Sequence, residues 1–161
     1  MGSYKEVKGD LIKLALKNEF DMIAHGCNCH CVMGAGIAPL FARHFGADKF
    51  PLEEARYKGA VNKLGMVDVR NIQGTLVANC YTQYDTGGPQ PLDYEALTLC
   101  FRKLNKRYRG KTIGLPQIGC GLGGGSWSIV SKLIHTELVD MDVTVVIFDP
   151  STVLRDETDS M

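Results

Sequence analysis

The sequence predicts an α/β domain in which helices cover both faces of a mixed, mostly parallel sheet, a three-layer α/β/α arrangement. Three observations lead there. Through most of the 161 residues, apolar runs short enough for strands alternate with amphipathic stretches long enough for helices, which calls for crossovers between parallel strands. Asp21 to His25 and Val143 to Phe148 are apolar without alternation, as strands buried on both faces must be. A single hairpin signal, Gln73-Gly74, makes the sheet mixed.

Tyr4 to Lys8 alternates apolar and polar residues and reads as the first strand. Gly9-Asp10 breaks it, and Asp10 stands where its carboxylate can cap a helix over Leu11 to Lys17. After the strand at Asp21 to His25, apolar Ile37, Leu40, Phe41 and Phe45 mark a helix over Gly36 to Phe45, with Pro39 in its first turn and Gly46 closing it. Leu52 to Val61 predicts a further helix, and Leu64 to Arg70 a turn entering a strand. Thr75 to Tyr84 is rich in strand formers, and Asp85 to Pro91 is a loop. Asp93 caps a long helix through Arg107, whose basic run reads as a solvated face and a cationic helix end. Thr112 to Pro116 is a short buried strand, Trp127 to about Val139 a helix, and Val143 to Phe148 the last strand. Residues 1–150 make one domain, followed by a polar, acidic tail, 151–161, expected to be disordered.

Charge and cysteine content exclude several classes. Eighteen basic and eighteen acidic residues cancel, so no general nucleic-acid footprint and no electrostatic membrane surface is expected. No apolar run approaches the roughly 20 residues of a membrane span, and the N-terminus lacks the apolar core of a signal peptide, so a cytoplasmic location is expected. Cys27, Cys29 and Cys31 lie close together while Cys80, Cys100 and Cys120 stand singly. That is not the paired spacing of a zinc site, so reduced, mostly buried thiols are expected, with no metal and no cofactor.

An anionic ligand must then be caught locally, and two stretches suit one. Ile23 to Ile37 leaves a buried strand, passes His25, Asn28 and His30, and reaches Gly34-Ala35-Gly36 as a helix begins. Gln117 to Gly125 likewise follows a strand and precedes a helix. Glycine admits a ligand close to the main chain, and unpaired amides at a helix start suit a phosphate. Neither stretch is a Walker A loop, and the Gly119, Gly121, Gly124 spacing lacks the acidic residue of a dinucleotide fingerprint. In an open α/β sheet both would meet at the carboxyl ends of the strands.

Taken together, Val7-Lys8-Gly9-Asp10-Leu11, Asn28, Gly34-Ala35-Gly36-Ile37-Ala38 and Pro116-Gln117-Ile118-Gly119-Cys120-Gly121 resemble the macro domain family, and the resemblance covers nearly the whole chain. It implies a macro-domain-like fold and ADP-ribose as ligand. Asp10 would bond the adenine amino group, Asn28 the distal ribose, and the loops at Gly34 to Ile37 and Ile118 to Leu122 the pyrophosphate. The implied binding set is Asp10, Leu11, Asn28, Met33, Gly34, Ala35, Gly36, Ile37, Gln83, Gln117, Ile118, Gly119, Cys120, Gly121, Leu122 and Phe148, the last against the adenine.

Ala24-His25-Gly26-Cys27-Asn28-Cys29, Pro116-Gln117-Ile118 and Trp127 are most similar to the branch holding yeast-type ADP-ribose 1″-phosphate phosphatases and hydrolases that remove terminal ADP-ribose from acidic side chains or nucleic-acid bases. This implies hydrolysis of ADP-ribose 1″-phosphate by a monomer, with His25 serving phosphoryl transfer and Asn28 orienting the ribose. A histidine tucked under the loop, bonding only backbone, is the competing reading. The hydrolases of the branch carry a lysine, to which Lys58 is the nearest match, and an aspartate where this chain has Gly123. The alternatives are therefore an ADP-ribosyl hydrolase using Lys58, with ADP-ribosylated macromolecules as partners, and a module that binds ADP-ribose without turnover.

Overall fold

The computed structural model describes residues 2–31, 33, 36–50, 61–84, 91–121 and 123–151. Six strands form one sheet: β1 (Tyr4–Gly9), β2 (Met22–Asn28), β3 (Val67–Ile72), β4 (Thr75–Gln83), β5 (Thr112–Leu115) and β6 (Asp142–Phe148). Their order is β1-β6-β5-β2-β4-β3, every neighbouring pair parallel except β3 with β4. The Gln73-Gly74 turn has positive φ at both residues, 53° and 93°, and joins the antiparallel pair as its sequence predicts. This is the three-layer α/β/α architecture expected.

Among the described residues, four α-helices supply the outer layers: α1 (Leu11–Leu16), α2 (Ala38–Phe45), α3 (Tyr94–Arg107) and α4 (Trp127–Glu137). Because side chains alternate along a strand, β2 sends Met22 and Ala24 to one face and Ile23 and His25 to the other. The first face packs on Leu97, Phe101 and Leu104 of α3 and Val130 and Ile134 of α4. The second packs on Leu11, Ile12 and Ala15 of α1 and Phe41 and Phe45 of α2. Each such side chain contributes roughly 1.5–3 kcal/mol through burial, which is why β2, β4 and β5 carry no polar alternation.

Element ends differ from expectation for local reasons. α2 starts at Ala38 rather than Gly36, because Gly36 takes a left-handed φ of 66° that ends no strand and begins no helix, and Pro39 then fits the first turn. Gly46, at φ 67°, closes α2 as expected. β2 continues three residues past His25 to Asn28, so that histidine lies inside the strand. α4 stops at Glu137, two residues before Val139. The helix expected over Leu52 to Val61 falls largely outside the described residues, and Val61 itself opens a short 3-10 turn, Val61–Lys63. The loop from Asp85 and the tail after Ser151 also lie outside them, save Pro91.

Gly114 shows how tightly α1 sits on the sheet. A Cβ there would lie 2.6 Å from Phe20 Cδ2 and 2.9 Å from Leu11 Cδ1. Gly114→Ala should therefore cost about 1–3 kcal/mol in urea unfolding, and adding Phe20→Leu should restore part of it. An unchanged midpoint in the single variant would show that this contact is not tight.

Candidate functional site

The carboxyl ends of β1, β6, β5, β2 and β4 share one edge of the sheet, and the two glycine stretches leave from β2 and β5, which are neighbours. They come together. An ideal Cβ on Gly26 of β2 would lie 3.4 Å from Ile118 Cγ1 and 3.9 Å from the Gly119 amide nitrogen, so the second stretch folds back over the end of β2. In the first stretch, Met33 and Ile37 turn their side chains into the core beneath α2. Gly36 has nothing within 4 Å of its Cβ position. Gly34, Ala35, Leu122 and Lys58 lie outside the described residues.

The second stretch is a closed turn. Cys120 donates its amide to Gln117 O at 3.2 Å, Gly124 to Gly121 O at 3.1 Å, and Gly125 to Gly119 O at 2.9 Å. Leu92 binds the turn from outside, donating its amide to Gly123 O at 3.0 Å. Glycine is required here for two reasons. Gly119 has φ 76°, and a Cβ on it would meet Leu92 Cδ1 at 2.9 Å, while one on Gly125 would meet Leu92 Cδ2 at 2.4 Å. A Cβ on Gly123 would come within 2.6 Å of the Gly119 carbonyl oxygen and 3.3 Å of Gln83 Oε1. The turn as built leaves no room for a side chain, carboxylate or otherwise, at position 123.

Other expected site residues stand around this turn. Asp10 caps α1, its Oδ1 accepting from Ile12 N at 2.9 Å and Lys13 N at 3.2 Å. Asn28 is buried, and its Oδ1 accepts from the His30 amide at 3.0 Å. Its partner strand ends at Gln83, opposite it in register. Phe148 ends β6 with 58% of its surface exposed, next to Gly9 of β1. Leu11 is buried in the core against the second face of the sheet. Cys29 and Cys31 also point inward, whereas His30 meets Tyr84 edge to face at 4.9 Å.

A family model described as "Macro domain" matches residues 24–134, a span that contains both glycine turns. The chain belongs to the macro domain family. A 17.5 kDa protein of the tk-vs intergenic region of Enterobacteria phage T4 is 35% identical to it, covering 91% of this chain and 97% of that one. Human ADP-ribose glycohydrolase OARD1 is 31% identical over 86% of this chain and 88% of its own. Among solved structures, the macrodomain of Thermus aquaticus DarG superposes with a TM-score of 0.71 at 26% identity, over 93% of this chain and the whole of that one.

In this macro domain His25 lies within strand β2. The imidazole is fully buried in β2, stacked on Phe41 with ring centroids 3.9 Å apart and planes 14° from parallel. Asn79 Nδ2 donates to Ala47 O at 2.9 Å, which turns Asn79 Oδ1 toward the ring, so His25 Nε2–H donates to it at 2.7 Å. Cys27 Sγ lies 3.4 Å from the same nitrogen. This network ties β2 and β4 to the turn after α2. The ring is fully enclosed by this network, which gives His25 a structural role in joining the two strands. The partner is the Asn79 side chain rather than backbone.

Three residues that matter to the crevice carried no obvious sequence signal. Leu92 fixes the second turn, Gly26 floors the crevice, and Thr82 lies beneath Gly26 with its Oγ1 2.9 Å from the Cβ position. A lone glycine inside an apolar strand does mark a close backbone approach, and Gly26 could have been found that way.

Burial pushes the His25 imidazole down to about 4 from an ordinary 6.5, the Asn79 hydrogen bond opposing this more weakly. At neutral pH the ring is uncharged both folded and unfolded. As pH falls from the ordinary value toward about 4, the unfolded chain takes up a proton that the folded chain refuses, so stability should fall through that window by about 3 kcal/mol. Urea unfolding across the window should show this loss, and His25→Gln should flatten it. An equal slope in both proteins would assign the acid sensitivity elsewhere.

Proposed function

We propose that this macro domain binds ADP-ribose in the crevice between its two glycine turns and hydrolyses the bond joining terminal ADP-ribose to a protein side chain or nucleic-acid base. The observation that carries this reading is the similarity to human ADP-ribose glycohydrolase OARD1, which extends over 86% of the chain. The crevice supports it chemically. Amides of the second turn and of the start of α2 hold the pyrophosphate, since helix starts and glycine turns offer N–H donors to anions without requiring a net positive protein. Asp10 accepts from the adenine amino group while still capping α1, Phe148 offers its exposed ring to the base, and Asn28 with Gln83 borders the distal ribose.

Hydrolysis needs water to add at the anomeric or ester carbon and a proton to reach the leaving atom, oxygen for an acidic side chain and nitrogen for a base. His25 is enclosed and Gly123 brings no carboxylate, so Lys58 is assigned the acid–base role, a task typically worth 10²–10⁴-fold. The enclosure of His25 weighs against ADP-ribose 1″-phosphate as the substrate, because phosphoryl transfer is the role expected of that residue.

The test is release of free ADP-ribose from glutamate-modified protein and from base-modified DNA, run beside phosphate release from ADP-ribose 1″-phosphate. Release from either macromolecule is expected, and the two arms identify which linkage is cut. Phosphate release alone would restore the phosphatase reading, and calorimetric binding without turnover would make the protein a reader. Lys58→Ala should lower kcat about a hundredfold while ADP-ribose affinity stays within about twofold. Unchanged kcat would remove Lys58 from the chemistry.

A further inference from the structure

Where β2 and β4 reach the crevice, β4 carries one residue more: Cys27 faces Tyr81 but Asn28 faces Gln83, so Thr82 is the extra residue of a bulge. Its backbone carbonyl accepts from the Asp93 amide at 2.8 Å. Its side chain is in a different position. Thr82 is fully buried, and its Oγ1 has no hydrogen-bond partner among the described residues. A hydroxyl in that state has given up water without replacement, and a valine of nearly the same shape would fill the space without that cost. An orphaned buried group of this kind calls for a partner that the free protein does not supply.

Gly26 is what covers it on the side of the second glycine turn. Gly26 is flanked in β2 by buried residues yet is itself partly exposed, and its Cβ position is 2.9 Å from Thr82 Oγ1 and 3.9 Å from the Gly119 nitrogen. Any side chain at position 26 would seal the hydroxyl off. We infer that Thr82 is a ligand-binding determinant: its hydroxyl bonds an oxygen that the bound nucleotide brings over Gly26, the ligand's own or that of a water trapped beneath it. This rests on the ADP-ribose reading above and assigns that site a further residue.

Thr82→Val and Thr82→Ser test it, with thermal melting of the free proteins and calorimetry with ADP-ribose. Thr82→Val should melt at or above the wild-type temperature when free, yet bind ADP-ribose about five- to twentyfold more weakly. Thr82→Ser should bind within about twofold of wild type. A role in folding alone would lower the melting temperature and leave affinity untouched, so the two readouts separate the cases. Thr82→Val binding as tightly as wild type, or melting clearly lower when free, overturns the inference and leaves the ADP-ribose reading standing. Wild-type protein that binds no ADP-ribose overturns both. A crystal structure of the complex distinguishes a ligand oxygen from a trapped water.

Discussion

Strand β2 is the constraint on which the rest of the structure depends. It lies between β5 and β4, with apolar helices on both faces, and must fill both layers while ending in groups able to meet a polar ligand. The change of character happens within five residues, from Ala24 and His25 through Gly26 to Asn28. His25 absorbs the transition on the α2 side by pairing with Asn79, and Gly26 absorbs it on the other side by having nothing to pack. Because the helices hold this strand from both sides, the groups at its end are placed without depending on loop stiffness.

Much of the fold was legible because its signals are local. Alternating periods located every described strand and helix to within a few residues, and Asp10, Asp93 and Gly46 marked helix ends through hydrogen bonds that need only near neighbours. Strand order was not legible, since β1 pairs with β6 from the far end of the chain and no short-range pattern encodes that. The crevice followed the same division. The glycines of the second turn announced a close approach, but Leu92, which makes the approach close, reads as an ordinary core residue until the tertiary contact is seen.

His25 and Gly123 show why residue type alone misleads about chemistry. A histidine beside an anion site invites an acid–base role, yet exposure decides whether a proton can pass, and this ring has none. A glycine where the sequence resemblance implies an aspartate invites the idea of a simple loss. The Gly119 carbonyl at 2.6 Å from the Cβ position shows that this turn has no room for a side chain there. Restoring the carboxylate by substitution would disturb the turn that holds the ligand.

The six cysteines have a consequence outside catalysis. Cys27, Cys29, Cys31, Cys80 and Cys100 are buried, and burial pushes the Cys27 thiol up, while Cys120 is half-buried within the second turn. An electrophile diffusing through solvent therefore meets one thiol before the others, and that thiol sits in the turn assigned to the pyrophosphate. Burial raises Cys120 as well, which slows its attack at neutral pH and favours reagents that are first held nearby by non-covalent contacts. Cys120 is thus the thiol at which a covalent fragment or a fluorescent label would attach first, without any engineered residue.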